Sequence, residues 1–294
     1  MIYLIGSILF SSYLTLSFKV LQWLNINTLQ AIVFNYIACV ITGSVFNNSF
    51  PLNKENINAS WFVWAVVMGV MFISIFNAIG FTTQKLGVAV ASVANKLSMV
   101  IPFIFSLYLY NENSTALKII GIIVALTAVV LTCYPSASTN GKEKKFNQLL
   151  LLLPIILFVG SGLLDTLIVY VKNTFFNNPT DNFNNFLITA FSIAGCIGLV
   201  ILGLQFATGK QQFSYKAVLA GVIIGVPNYF SIWFLGKVIT AYQGNSSAII
   251  PVNNMGIVLF SAVAAWVLFK EKLSTLNWLG IGLSLIAIAL IAYG

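Results

Sequence analysis

Residues 110–131 read YNENSTALKIIGIIVALTAVVL and residues 269–290 read FKEKLSTLNWLGIGLSLIAIAL, and the two stretches share one pattern. In each, a glutamate that follows a long apolar segment, Glu112 or Glu271, stands nine positions before a glycine of the next apolar segment. The two glutamates are 159 positions apart, and so are the two glycines. A repeat at half the chain length in so apolar a sequence predicts a membrane protein built from two related halves, as is typical of transporters.

The composition independently indicates a membrane protein. Of the 294 residues, 59% are hydrophobic and only 7% are charged, against roughly 25% charged in an average soluble domain. No basic region precedes the first apolar segment, residues 2–24, and no small-residue cleavage site follows it. This segment is therefore predicted to be a retained helix rather than a signal peptide.

Several kinds of site are excluded by the residue types of the chain. All 14 basic residues are lysines, so there is no arginine for bidentate phosphate binding and no histidine for proton transfer or metal ligation. The lysines are scattered over short loops, which argues against nucleic-acid binding. Cys39, Cys133 and Cys196 lie apart in apolar segments and predict neither a disulfide framework nor a zinc site. No metal, cofactor or nucleic-acid partner is expected; the expected surroundings are the lipid bilayer.

Ten segments are predicted to span the membrane, since crossing the hydrocarbon core takes about 20 mostly apolar residues. They are residues 2–22, 28–46, 61–82, 87–110, 117–134, 148–171, 184–206, 215–237, 246–269 and 276–293. The connections between them are short and rich in Asn, Ser, Lys and Pro, which leaves no room for a soluble domain.

The ten spans are predicted to form two five-helix halves, residues 1–134 and 148–294. Gly69 and Gly225, 156 positions apart, extend the internal similarity into the third and eighth spans. Because each half has an odd number of helices, the second half is expected to be inverted relative to the first. The alternative is a chain with fewer spans and some re-entrant helices. The internal repeat argues against it. The predicted fold is thus an all-α integral membrane protein with ten transmembrane helices in two inverted five-helix repeats.

The segments NENSTALKIIG (residues 111–121) and KEKLSTLNWLG (residues 270–280) resemble the helix-turn-helix signature that ends each repeat of EamA-like ten-helix transporters, a branch of the drug/metabolite transporter superfamily. The resemblance covers essentially the whole chain. It implies a small-molecule carrier in which helices of both halves surround a central cavity and helices five and ten pack at the periphery. A homodimer through helices five and ten, and a location in the bacterial inner (plasma) membrane, are expected on the same basis.

The motif glutamates also have a structural interpretation. Glu112 and Glu271 each precede a Ser/Thr pair that can cap the next helix. A role at a helix N-terminus therefore explains both residues without contact to a substrate.

Both termini are predicted to lie on the same side of the membrane, but which side is left open. Nine loop lysines fall on the side away from the termini and four on the side of the termini, which places the termini outside by the positive-inside rule. The family resemblance implies cytoplasmic termini instead. The nine lysines are Lys19, Lys85, Lys142, Lys144, Lys145, Lys210, Lys216, Lys270 and Lys272.

Lys96 is the first candidate for a functional residue, because ionisable groups inside a span are costly and mark functional sites. It lies in the fourth span, roughly 13 Å along the axis from the nearer end. At the offset of 159, its neighbour Asn95 corresponds to Asn254 of the ninth span, which Asn253 precedes. Lys96 is therefore predicted to be the electrostatic centre of a substrate site that includes these three amides.

Further polar candidates follow Pro227, which bends its helix and frees a backbone carbonyl. Asn228, Tyr229 and Trp233 lie just beyond it in the eighth span. Amide and aromatic groups near such a kink can orient a polar ligand, so all three are predicted to bind substrate.

Asp165 lies inside the sixth span and is the candidate for binding a coupling proton. A carboxyl group removed from water favours its protonated form, which suits this role. A structural ion pair between Asp165 and Lys96 is the alternative. Lys19, near the end of the first span, is predicted to reach the interface by snorkelling.

These features predict a secondary transporter that moves a small polar metabolite, an amino acid-like or other carboxylate or zwitterion, by alternating access. Branches of the superfamily that move phosphorylated substrates are similar in having basic residues on helices four and nine, whereas this chain has one only on helix four. A nucleotide-sugar or organophosphate antiporter is therefore the alternative. A structural membrane protein without transport activity is another. An enzyme is not expected, because Asp165 alone cannot supply an intramembrane catalytic constellation.

Overall fold

The computed structural model of the chain describes residues 1–48, 50–109, 115–133, 150, 152–176, 183–241 and 246–293. These residues form helices joined by turns and short connections, which confirms the predicted all-α class. The helices are α1 (Ile2–Trp23), α2 (Thr28–Asn47), α3 (Lys54–Asn58), α4 (Phe62–Leu86), α5 (Val88–Leu97), α6 (Val100–Leu109), α7 (Ala116–Thr132), α8 (Leu152–Phe175), α9 (Phe183–Ala207), α10 (Tyr215–Ala241), α11 (Ser246–Phe269) and α12 (Thr275–Tyr293).

Each of the ten predicted spans coincides with helical structure, but not all of them are long enough to be counted as spans. Eight candidates in the described residues are long and apolar enough to cross a membrane, with α5 and the first part of α6 counted as one, Val88–Phe105. The fifth and tenth predicted spans are shorter apolar helices, Ala116–Thr132 and Thr275–Ile291. The 17 residues of α7 rise about 26 Å, slightly less than the roughly 30 Å hydrocarbon core. The chain therefore fits an integral membrane protein, and the count of ten spans stays a prediction.

The fourth predicted span is interrupted at Ser98 and Met99, where α5 ends and α6 begins. The prediction of a span there is not affected, because Val88–Phe105 counts as one candidate for crossing a membrane. Pro102 has no N–H to bond the carbonyl of Ser98, which instead accepts a tighter turn bond from the Ile101 N–H at 2.9 Å. Helix α8 packs directly on the break, since a Cβ added to Gly162 would lie 2.8 Å from the Ser98 carbonyl oxygen.

The N-terminus of α5 is capped by a side chain from the connection between α11 and α12. Both carboxylate oxygens of Glu271 accept the Val88 N–H, each at 3.1 Å. Gly87 precedes the helix at φ 104°, a conformation that suits glycine, and an added Cβ there would lie 2.9 Å from Glu271 Oε2. The carboxylate also lies 3.6 Å from Lys19 Nζ, and these two side chains are only 11% and 18% exposed. The snorkelling prediction for Lys19 stays a prediction, and the structure adds that its ammonium forms an ion pair with Glu271.

Glu271 thus lies at a helix N-terminus, as predicted, but at that of α5 rather than that of the following helix. Helix α12 is capped by Ser274, whose Oγ accepts the Asn277 N–H at 3.2 Å while Asn277 Oδ1 accepts the Ser274 N–H at 2.8 Å. The corresponding cap of α7 is Thr115. The predicted capping by the residues after the motif glutamates is confirmed for both helices, and Glu112 itself lies outside the described residues.

The helices group into two compact units. Unit 1 comprises Met1–Lys19, Ala78–Gly162 and Ser231–Gly294, and unit 2 comprises Val20–Asn77 and Leu163–Phe230. Each unit draws on both predicted halves of the chain, so the units do not coincide with the halves. Whether residues 1–134 and 148–294 are related repeats stays a prediction.

Helix α11 packs on α12 and α5 packs on α7, and both pairs are neighbours in the predicted order of spans. Three other pairs join matching positions of the two predicted halves. In unit 1, α7 packs along α12 and α5 packs on α11, and in unit 2 α2 packs on α9. Numbered as predicted spans, these pairs are five with ten, four with nine and two with seven. Each pair joins a helix of the first half to the helix at the matching position of the second half.

Small residues allow the closest of these contacts. A Cβ added to Gly280 of α12 would lie 2.6 Å from the Thr132 amide nitrogen and 3.0 Å from the Ala128 carbonyl oxygen of α7. In unit 2, a Cβ added to Gly225 of α10 would lie 2.5 Å from the Asn35 carbonyl oxygen of α2. Backbone approach of this kind stabilises helix packing where lipid supplies no hydrophobic driving force.

Candidate functional site

The strongest candidate site lies where α5 ends and α11 crosses it in unit 1. Asn95 and Lys96 occupy the last turn of α5, directly before the break at Ser98 and Met99. Both side chains are half-buried. The C-terminus of a helix carries partial negative charge, which favours a lysine in its last turn.

Helix α11 carries two neighbouring asparagines, and Asn254 is the one that contacts this region. Asn254 Nδ2 lies 3.5 Å from Met99 Sδ, to which it donates, so α11 contacts the residue at the break itself. Asn253 is 2% exposed, and its Oδ1 is buried without a hydrogen-bond donor in the described part of the chain. An unpaired buried acceptor costs about 1–3 kcal/mol. Such a group is a natural place for a ligand or a water molecule to donate a hydrogen bond.

The surroundings of these polar groups are apolar. Leu97 and Val100, on either side of the break, belong to one buried cluster with Val258 of α11, against which Met255 packs. Charge–dipole interactions are strong in such surroundings because little water screens them. A charge near Lys96 would therefore interact with it more strongly than in water.

Unit 2 contains a second buried polar cluster, on α2 and α10. Asn228 is 5% exposed and its Nδ2 donates to Asn35 Oδ1 at 3.1 Å. Asn35 Nδ2 is buried and has no acceptor among the described groups. The thiol of Cys39, one turn along α2, donates to the Gly225 carbonyl at 3.3 Å. Sequence reasoning selected Asn228 but missed Asn35, although an amide four positions before a cysteine in an apolar span was a usable signal.

Tyr229, the next predicted binding residue, is held at the end of α2. Its hydroxyl oxygen accepts the Nδ2–H of Asn47 at 2.7 Å, and Asn47 Oδ1 accepts from Asn184 Nδ2 at 3.1 Å. Sequence reasoning missed both asparagines. They fix the orientation of the tyrosine ring from two neighbouring helices of unit 2.

Trp233 lies in unit 1, among other aromatic side chains. Its ring meets Tyr3 and Phe234 edge to face, with centroids 6.2 and 5.1 Å away. Lys237 Nζ lies 5.5 Å from its centroid, a cation–π contact. The ring already has partners within the protein, and its predicted contact with substrate stays a prediction.

Asp165 lies in α8 in unit 2 and is half-buried. Lys96 belongs to unit 1, so the alternative ion pair between these two residues also stays a prediction. Among the described residues, no group of three or more His, Cys, Asp or Glu side chains is arranged to hold a metal ion.

Comparison with other proteins shows similarity along nearly the whole chain. An uncharacterized protein of Haemophilus influenzae is 28% identical over 301 residues, which cover 99% of this chain and 97% of that protein. A protein of known crystal structure aligns with a TM-score of 0.62 and 14% identity, covering 99% of this chain and 96% of the other. No protein-family model matches the chain. At these identities the shared property is the fold, and it extends from one end of the chain to the other.

Proposed function

We propose that this protein is a secondary transporter that carries a small polar metabolite with a carboxylate or zwitterionic group across the membrane by alternating access. The observation that carries this proposal is the interrupted helix at Ser98 and Met99. Many transporters place substrate sites where a membrane helix is interrupted. Here the break directly follows Lys96, and Asn254 of α11 contacts Met99 at the break itself.

The proposed substrate class follows from the chemistry of these groups. One ammonium group matches one carboxylate, and carboxamides can both donate to a carboxylate and accept from an ammonium group. A zwitterion such as an amino acid satisfies both kinds of partner. A phosphorylated substrate carries more negative charge than this single lysine balances, so the proposal favours the carboxylate.

The proposal includes ten spans in two inverted five-helix halves. Its support is the pairing of matching helices, α2 with α9, α5 with α11 and α7 with α12. Helices α7 and α12 are short, but spans of about 17 residues lie at the lower limit of what crosses a bilayer, which thins locally around short helices. Their extensive mutual packing lies within one chain, and their remaining apolar faces are where a homodimer would form.

The test of the site compares two lysine variants in proteoliposomes. Lys96→Met is expected to reduce saturable uptake of a radiolabelled carboxylate or amino acid at least tenfold, because a partly desolvated charge pair contributes more than about 1.4 kcal/mol. Lys118→Met removes an equally half-buried helix lysine of unit 1 and should change uptake less than about twofold. Equal losses in the two variants would contradict a substrate role for Lys96.

Asp165 is proposed to bind the coupling proton. Asp165→Asn should abolish the dependence of uptake on a pH gradient while leaving substrate exchange measurable, because exchange returns the carrier without moving a net proton. Glu55→Gln, a change of an exposed acid on α3, is the control. If the asparagine variant still responds to a pH gradient as the unmodified protein does, the proton site lies elsewhere.

A further inference from the structure

Helix α5, Val88–Leu97, is a short segment with an interruption of the helical chain at each end. On its N-terminal side the single residue Gly87 separates it from α4, and on its C-terminal side Ser98 and Met99 separate it from α6. Gly87 has φ 104° and ψ 164°, a backbone conformation that is essentially restricted to glycine. Hinges are a few residues at the ends of such elements that absorb changes in φ and ψ. Both ends of α5 are therefore suited to act as hinges.

The packing surface of α5 is shallow. Residues 88–94 are all buried, and each of them is a valine, an alanine or a serine. They belong to a helix that packs on α7, α11 and α12 of unit 1. Packed helices can move by shear, a small sliding of one helix along another. Because no side chain in this stretch is larger than valine, α5 can slide without displacing large side chains of its own from the packed interior.

The N-terminal end of α5 is held by the side chain of Glu271. The carboxylate accepts the Val88 N–H and pairs with Lys19, so it ties α5 to α1 and to the α11–α12 connection. The backbone N–H of Glu271 donates to the Ala265 carbonyl of α11 at 3.3 Å. Lys270, which precedes it, has φ 51°, a left-handed conformation that is unfavourable for a lysine. The contact that holds α5 is thus made from a strained turn that is anchored to α11.

Space for water lies beside this contact. A cavity of about 310 Å³ is lined by Gly87 and Glu271, among other residues of unit 1. It has room for roughly ten water molecules, at about 30 Å³ each. A carboxylate that leaves the Val88 N–H can therefore be solvated there, which lowers the cost of breaking the contact.

We propose that α5 is a moving segment and that Glu271 is its latch. While the carboxylate caps Val88, α5 is held in the position described here. When the carboxylate leaves, α5 turns about Gly87 and slides along α11, and Lys96 in its last turn moves with it. The role of this movement in transport rests on the proposed function, whereas the movement itself does not.

The test measures how fast a methanethiosulfonate reagent modifies a cysteine at the far end of α5. Asn95→Cys places the thiol at a half-buried position, about 10 Å along the helix from Val88. The full-length protein is modified in lipid nanodiscs, and mass spectrometry after proteolysis reports each cysteine separately. Adding Glu271→Gln should raise the rate at position 95 roughly tenfold, because the charge that holds the helix N-terminus is lost. A rate that does not rise would overturn the proposal.

Two controls separate the movement of α5 from other effects. Glu55→Gln, a change of an exposed acid on α3, should alter the rate at position 95 less than about twofold. Val238→Cys reports on a general opening of unit 1, because Val238 is fully buried in a separate cluster with Leu4. If Glu271→Gln raises the rates at positions 95 and 238 equally, unit 1 opens as a whole and the latch is disproved.

Hydrogen exchange distinguishes movement of α5 from fraying of its first turn. A cap with a purely local role predicts faster amide exchange at residues 88–91 in Glu271→Gln and an unchanged modification rate at position 95, and this result would contradict the latch. The modification rates require no substrate. A failed transport assay would therefore count against the proposed function alone, and an unchanged rate at position 95 would count against the latch alone.

Discussion

Replacement of Glu271 by glutamine is expected to destabilise the protein by about 2 kcal/mol. The carboxylate interacts with the positive N-terminus of α5, an interaction that contributes typically 0.3–1 kcal/mol and up to about 2 kcal/mol when partly buried. Its ion pair with Lys19, at 3.6 Å and with both side chains less than one-fifth exposed, adds more than an exposed pair would. Glutamine keeps an oxygen that can accept the Val88 N–H, so only the charge is lost.

Glu271→Ala should cost more, about 3–4 kcal/mol, because it also removes the acceptor. Val88 is fully buried, and its N–H would then have no partner there, at a cost of about 1–3 kcal/mol. The order of the two variants thus separates the contribution of the charge from that of the hydrogen bond.

Unfolding in mixed detergent micelles, followed by tryptophan fluorescence, measures both free energies. Glu55→Gln, at an exposed position of α3, is the control and should change stability by less than about 0.5 kcal/mol. Lys19→Met combined with Glu271→Gln should be about 1 kcal/mol more stable than the sum of the single effects predicts. If both Glu271 variants behave like the control, the cap does not hold α5 in place and the reasoning fails.

Two further predictions concern helix packing and buried amides. Gly280→Ala should lower the free energy of unfolding by about 1–3 kcal/mol, because its Cβ would lie 2.6 Å from the Thr132 nitrogen. Gly282→Ala has open space around it and should stabilise α12 by up to about 1 kcal/mol. Equal effects of the two variants in unfolding experiments would contradict the α7–α12 contact. Asn228→Leu should destabilise unit 2, because it leaves Asn35 Oδ1 without its donor. Adding Asn35→Leu should recover part of the lost stability. A double variant less stable than Asn228→Leu alone would show that the two amides are not coupled as described.

Most of the helices could be predicted, because a membrane-spanning helix requires a long run of apolar residues in the sequence. The caps at Thr115 and Ser274 were predictable too, since capping depends on neighbours in sequence. The break at Ser98 was not. A proline such as Pro102 can either kink a helix or end it, and the sequence does not say which. Gly162 of a helix distant in sequence packs on the freed carbonyl of Ser98.

The other features that the sequence did not predict depend on contacts between residues far apart in the chain. The sequence shows that Lys19 lies near a helix end. It does not show that Lys19 pairs with Glu271, because that pairing depends on how α1 packs against the α11–α12 connection. Asn47 was harder to recognise than Asn35, because it lies at the end of an apolar run where nothing local distinguishes it from a surface asparagine. The five-residue helix α3 was missed because the signal was only an Asn53 cap within a polar loop.

Counterflow into proteoliposomes tests the central claim, that the protein is a secondary transporter, most directly. Vesicles are loaded with millimolar unlabelled amino acids or dicarboxylates and diluted into micromolar radiolabelled compound, with no ion gradient imposed. The transport account predicts transient accumulation of label above its equilibrium level, saturating with external substrate and sharply reduced by Lys96→Met. Uptake that never exceeds the level in protein-free vesicles, for every carboxylate and zwitterion offered, would contradict it.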